Sequence, residues 1–131
     1  MSTRELGDYA EVITAAIFTK QGYIVSKPLT ENSTYDLIVD MKGDLKKVQV
    51  KARTTRDNKI SVELFTSMRN YKKYYKEGDF DYLIVYSEDL DKLAIIAWEE
   101  LKDLKVLTLR TMEPKNKQKI GVKMFDDYLF S

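Results

Sequence analysis

The segment Tyr35 to Lys51 constrains the fold more than any other stretch of this chain, because it reads as a β-hairpin with a fixed register. Tyr35 to Met41 (YDLIVDM) is rich in β-branched and aromatic residues, Lys42-Gly43-Asp44 supplies turn chemistry, and Leu45 to Lys51 (LKKVQVK) resumes an alternating pattern. Folding about Lys42-Gly43 brings Asp36 nearly opposite Gln49. Successive strand side chains point to opposite faces, so Gln49 and Lys51 share one face and Val50 takes the other. Leu37, Val39, Val48 and Val50 then form a core face, and Asp36, Gln49 and Lys51 gather on the other. A carboxylate, an amide oxygen and an ammonium so grouped can hold a divalent cation and one phosphate. Taken alone, the same residues also fit a plain surface hairpin with scattered charges.

The segment in front reads as a helix from Ser2 to Gln21. Ser2 and Glu5 have capping-box spacing, Ala10, Ile13 and Ile17 recur at helical intervals, and Gly22 ends the run. Glu11 interrupts the apolar middle. A carboxylate beside Ala10, Val12, Ile13 and Ala15 lies near the edge of the buried stripe, where desolvation is costly without a partner. A cation shared with Asp36 is one such partner; a solvated helix edge is the plainer reading.

Composition narrows the chemistry. A length of 131 residues suits a single domain, 1–131, and no apolar run or leader pattern suggests a membrane segment or a signal peptide. The chain has no cysteine and no histidine, which excludes a disulfide framework, a thiolate zinc site and Ser-His-Asp catalysis. Carboxylates and lysines are left to carry any catalysis.

Glu11 on the first helix, the strand Tyr23 to Ser26, Pro28, Tyr35-Asp36 and then Gln49-Val50-Lys51 form an ordered pattern that resembles the PD-(D/E)XK nuclease superfamily. The stretches Gly7-Asp8-Tyr9-Ala10-Glu11, Gly22-Tyr23-Ile24-Val25 and Val48-Gln49-Val50-Lys51 carry the similarity, which covers about residues 5 to 55. Within the superfamily the pattern is similar to the small Holliday junction resolvases of archaea and their viruses and to the group I intron homing endonuclease of the same fold. The resemblance implies an α/β restriction-endonuclease-like fold, a central mixed β-sheet flanked by helices with an α-β-β-β-α core. It implies Glu11, Asp36, Gln49 and Lys51 as catalytic residues. Glu11, Asp36, Gln49 and the Val50 carbonyl would be ligands for Mg²⁺, with Mn²⁺ able to substitute, and Lys51 would stabilise charge developing on the phosphate. Two positions depart from the family pattern: Tyr35 replaces the proline, and Gln49 replaces the usual second acid. A Gln there is tolerated in the intron-endonuclease branch, and it keeps a non-catalytic nucleic-acid-binding domain as an alternative.

A net charge of +1 requires any DNA surface to come from local asymmetry. Arg53, Arg56 and Lys59 around the turn Thr54 to Asn58 are candidate phosphate contacts. In Thr66 to Lys76 (TSMRNYKKYYK), Arg69, Lys72 and Lys73 alternate with tyrosines. A helix there puts Met68, Tyr71 and Tyr75 on an inward face with the basic residues on the rim as DNA contacts, and direct nucleotide contact by the tyrosines is the alternative. Further on, Asp81 to Tyr86 and Lys92 to Trp98 read as sheet strands, Trp98 to Leu101 as a helical turn and Val106 to Arg110 as another strand. Lys115 to Lys119 reads as a mobile loop or a clamp on a second duplex arm. The apolar Met124 to Phe130 is expected to dock on the core or on a second subunit.

The expected partner is DNA, either a four-way junction or a duplex target site, with no membrane involved and a homodimer or higher homo-oligomer to cut two strands. Compactness and the lack of an evident recognition helix or zinc finger favour the junction, with a sequence-specific homing endonuclease close behind. The expected location is intracellular and cytoplasmic, including a virus-encoded protein acting in its host cell.

Overall fold

Lys42 (φ 58°) and Gly43 (φ 96°) both take positive φ, and this two-residue turn closes the hairpin on which the rest of the molecule is built. The computed structural model describes residues 1–113 and 121–131. Helix α1 (Thr3–Lys20) is followed by strands β1 (Ile24–Ser26), β2 (Leu37–Met41), β3 (Asp44–Arg53), β4 (Lys59–Glu63), β5 (Phe65–Ser67), β6 (Lys72–Tyr74), β7 (Tyr82–Ser87) and β8 (Lys92–Ala97). A 3₁₀ turn (Trp98–Glu100), β9 (Val106–Arg110), β10 (Lys123–Met124), a second 3₁₀ turn (Phe125–Tyr128) and β11 (Leu129–Phe130) complete it.

The helix starts where its residues dictate. The Glu5 N–H donates to Ser2 Oγ and the Ser2 N–H to Glu5 Oε1, both at 3.1 Å, a complete capping box. Gln21 is the C-cap, and Gly22 follows at φ 92°.

The main sheet has six strands in the order β1-β2-β3-β7-β8-β11. It is mixed: β3 runs parallel to β7, and the other neighbours are antiparallel. Alternation along each strand builds two cores. Leu37, Val39, Val48, Val50, Ile84 and Tyr86 face α1 and meet its Ala10 and Phe18. Leu83, Val85, Ala94 and Ile96 face the other way, against Ile60, Val62, Leu107 and Leu109 of a smaller sheet in the order β10-β9-β4. The central mixed sheet is the expected one, and of the helices expected to flank it α1 covers one face. The sheet's second face is covered by this small sheet, and among the described residues α1 is the one α-helix.

The largest departure from expectation is Thr66 to Lys76, which is a two-stranded antiparallel ribbon of β5 and β6 and not a helix. Cross-strand aromatic packing explains the change: Phe65 pairs with Tyr74, ring centroids 5.4 Å apart, and the Lys72 ammonium lies 4.7 Å above the Phe65 ring. Met68 and Tyr71, expected to pack inward, are 42% and 62% exposed. Tyr75 does pack inward, edge-on to Phe80 at 5.2 Å. The apolar C-terminal stretch docks on the core through buried Phe125 and Phe130. Lys115 to Lys119 lie outside the described residues.

Candidate active site

The site forms where β2 leaves β3. The last rung of their ladder pairs Leu37 with Val48, and the Asp36 N–H donates to the Val48 carbonyl at 2.8 Å. Val50 lies on the same edge beyond that rung. Its N–H therefore finds a side chain in place of a strand partner: it donates to Asp36 Oδ2 at 2.8 Å and to Gln49 Oε1 at 3.1 Å. One backbone donor thus draws two side-chain oxygens together, and the Val50 carbonyl points along the same open edge.

Gln49 is 7% exposed and held at its other end. Its Nε2 donates to the Thr34 carbonyl at 3.0 Å and approaches the Tyr75 hydroxyl at 3.4 Å. Thr34 is itself anchored, its Oγ1 donating to the Asp79 carbonyl at 2.7 Å. The Lys51 ammonium lies 5.8 Å from the centre of the Tyr75 ring.

Glu11 reaches the site from α1 and meets a residue that the sequence did not single out. Lys27 Nζ stands 2.9 Å from Glu11 Oε1, with the lysine side chain 68% exposed and the glutamate side chain 23% exposed. The Asp36 carboxyl is pushed up from its ordinary range, chiefly by burial. The neighbouring Glu11 charge pushes the same way, against the Val50 N–H, Lys51 and Lys27. The same Glu11 carboxylate raises Lys27.

The donor set fits a hard divalent cation. Two carboxylates, one amide oxygen and one backbone carbonyl are all oxygen ligands, and the buried Asp36 beside Glu11 is a charge that a cation would compensate. Among the described residues no three acidic side chains converge, because Gln49 supplies a neutral oxygen. The positive charge of Lys27 stands on this acidic cluster.

The remaining expected residues fall into two groups. Arg53 donates to the Ala52 carbonyl at 2.8 Å and pairs with Glu63 at 3.3 Å. Arg56 and Lys59 bridge to each other's backbone around Asp57 and Asn58, which take φ of 51° and 61°. These three basic residues line a recess that the N-terminus of α1 also borders. Arg69, Lys72 and Lys73 lie apart from them on the exposed ribbon. Lys27 and Thr34 escaped the sequence reading, and Tyr75 entered it as an inward-packing residue and not as part of this site, because each arrives through a long-range contact that no local periodicity signals.

The chain is similar to known proteins in sequence and in fold. The chain is 38% identical over 105 residues to Protein 5.3 of Escherichia phage T7, an alignment that spans 78% of this chain and 86% of that protein. Among solved structures it superposes on the bacterial homing endonuclease I-Ssp6803I with a TM-score of 0.79 at 25% identity, covering 98% of this chain and 89% of that one. The sequence pattern of the family described as PD-(D/E)XK endonuclease matches residues 1–131. The cluster of Glu11, Asp36, Gln49 and Lys51 therefore stands in a chain that belongs to the PD-(D/E)XK endonuclease family.

Proposed function

We propose that this protein is a divalent-cation-dependent DNA endonuclease, the whole chain acting as one nuclease domain. The observation that carries the reading is the convergence of Asp36 Oδ2 and Gln49 Oε1 on the Val50 N–H, beyond the end of the β2–β3 ladder and beside Glu11. Glu11, Asp36, Gln49 and the Val50 carbonyl would hold Mg²⁺, or Mn²⁺ in its place. Bound there, the ion would supply Lewis acidity toward a phosphate oxygen and acidify a water. Lys51, on the strand next to this cluster, offers its ammonium to the charge that develops on the phosphate during hydrolysis. Tyr75 limits where that ammonium sits, and the buried Gln49 keeps its oxygen aimed at the cluster without adding charge.

The basic residues would divide the substrate between them. Arg53, Arg56 and Lys59 would take backbone phosphates beside the cut, Lys72 and Lys73 would take them farther out, and Arg69 would meet the DNA from the tip of the ribbon. Two identical sites in a homodimer would cut both strands. A duplex target, as for a homing endonuclease, is the reading that the likeness to I-Ssp6803I and the projecting basic ribbon favour. The four-way junction is the alternative for a chain this small.

A gel assay distinguishes these readings. The purified protein is incubated with long natural duplexes and with a fixed four-way junction, in Mg²⁺ or in chelator. Mg²⁺-dependent cuts at discrete duplex positions are expected. Paired symmetric nicks confined to the junction would make it a resolvase, and metal-independent binding of DNA without cuts in either substrate would make it a non-catalytic binding domain.

A further inference from the structure

The ribbon of β5 and β6 leaves the body of the protein and ends in residues suited to reading bases. Every residue from Thr66 to Tyr74 is exposed. Phe65 to Tyr75 contains Arg69, Lys72 and Lys73 and no acid, in a chain of net charge +1, so the rest of the molecule is net negative. The ribbon is pinned at its root, where the Tyr75 N–H donates to the carbonyl of buried Leu64 at 3.0 Å. Its rungs continue to the Met68 N–H, which donates to the Tyr71 carbonyl at 2.8 Å. Arg69 and Asn70 are left as the two residues of the tip.

We infer that this ribbon enters the major groove of duplex DNA and that Arg69 and Asn70 read base edges there. The inference deepens the nuclease reading and rests on it. A two-stranded ribbon fits the major groove of undeformed duplex, about 12 Å wide, whereas the minor groove, at about 6 Å, must be widened to admit one. Arg is the side chain that pairs bidentately with guanine N7 and O6, and Asn the one that pairs bidentately with adenine N6 and N7. Lys72 and Lys73 are consecutive on β6 and project to opposite faces, one toward each wall of phosphates.

The root of the ribbon is also part of the active site. The Tyr75 hydroxyl lies 3.4 Å from Gln49 Nε2, and its ring lies 5.8 Å from the Lys51 ammonium. About five residues separate root from tip, a reach of roughly 17 Å at about 3.3 Å per residue. At about 3.4 Å per base pair, the pairs being read fall within about five of the scissile phosphate. This chain therefore carries a sequence-reading element without a recognition helix.

The test is a binding selection from a duplex library randomised around the cleavage position, with Ca²⁺ present. It compares the parent with Arg69→Lys, which keeps the charge but loses the fork, and with Asn70→Ser. The parent should enrich a guanine and an adenine within about five base pairs of the cut. Arg69→Lys should lower discrimination at the guanine by about 10- to 100-fold while changing affinity for random duplex by less than about threefold. Asn70→Ser should flatten the adenine position alone. Selection profiles identical to the parent's, or affinity that falls equally for all sequences, would overturn the inference. A parent that cuts duplex with no sequence preference would overturn it while leaving the nuclease reading intact; a parent that binds no duplex at all would overturn both.

Discussion

The Gln49 side chain donates from Nε2 to the Thr34 carbonyl at 3.0 Å, and this bond decides which end of the amide faces Asp36. A carbonyl oxygen only accepts, so the NH₂ must point to Thr34, which turns Oε1 toward the Val50 N–H beside Asp36 Oδ2. The neutral residue at the position of the usual second acid is therefore tied from β3 to the loop that precedes β2.

Restoring the acid should harm the protein. In Gln49→Glu a carboxylate oxygen would face the Thr34 carbonyl oxygen in a site that is 7% exposed. The lost bond and the buried charge should cost about 1–3 kcal/mol of stability at neutral pH in chelator. Ca²⁺ should recover part of that loss. Urea unfolding with and without Ca²⁺ measures both effects.

Asp36 sets a dependence on pH. Its carboxyl is raised chiefly by burial, so the folded state holds the proton more tightly than the unfolded chain. The stability tied to that proton is fully present below the unfolded-state pKa and is lost as pH rises through the folded-state value. Asp36→Asn removes this loss while keeping an oxygen for the Val50 N–H. In chelator the variant should gain on the parent as pH rises toward neutrality, with the difference vanishing in acid. Paired Tm measurements across pH test this, and the same variant should show no thermal shift with Mn²⁺.

Lys27 should matter to the metal more than to the fold. Its pair with Glu11 at 2.9 Å involves a largely exposed ammonium, so Lys27→Ala should cost less than about 1 kcal/mol. Removing a positive charge that competes for Glu11 should lower the concentration of Mn²⁺ needed for half-maximal thermal stabilisation. An unchanged concentration would place Lys27 outside the metal site, and a rise would show that it does not compete for Glu11.

Much of the site was legible because a hairpin converts spacing into geometry. The turn at Lys42-Gly43 fixes Leu37 opposite Val48, and Asp36 and Gln49 follow from that register. Glu11 was legible as an acid at the margin of an apolar helix stripe. The ribbon was not: TSMRNYKKYYK satisfies helical spacing by chance, and what decides its structure is the Phe65–Tyr74 pair, whose members lie on opposite arms of a turn. Lys27 required the register of β1 on β2, where Ser26 pairs with Ile38, and no local pattern encodes that. The expected second flanking helix gave way to the β10-β9-β4 sheet for a similar reason, since which apolar strands cover a face depends on long-range pairing.

Tyr75 joins the ribbon to the site, and two substitutions separate its roles. Tyr75→Phe keeps the ring near Lys51 and against Phe80 and gives up hydroxyl contacts of 3.4 Å, so stability and cleavage should change little. Tyr75→Leu removes the ring and should cost about 2–4 kcal/mol with a clear fall in cleavage rate. Denaturant midpoints and initial cleavage rates, measured on both variants, check the difference.

The most direct test of the account is the rate of Mg²⁺-dependent duplex cleavage in Asp36→Ala and Lys51→Met, each confirmed as folded by its unfolding transition. Both are expected to fall by at least about 100-fold below the parent, because one would remove a cation ligand and the other the ammonium that meets the developing charge. Either variant cutting DNA at the parent's rate would contradict the assignment of this cluster as the active site.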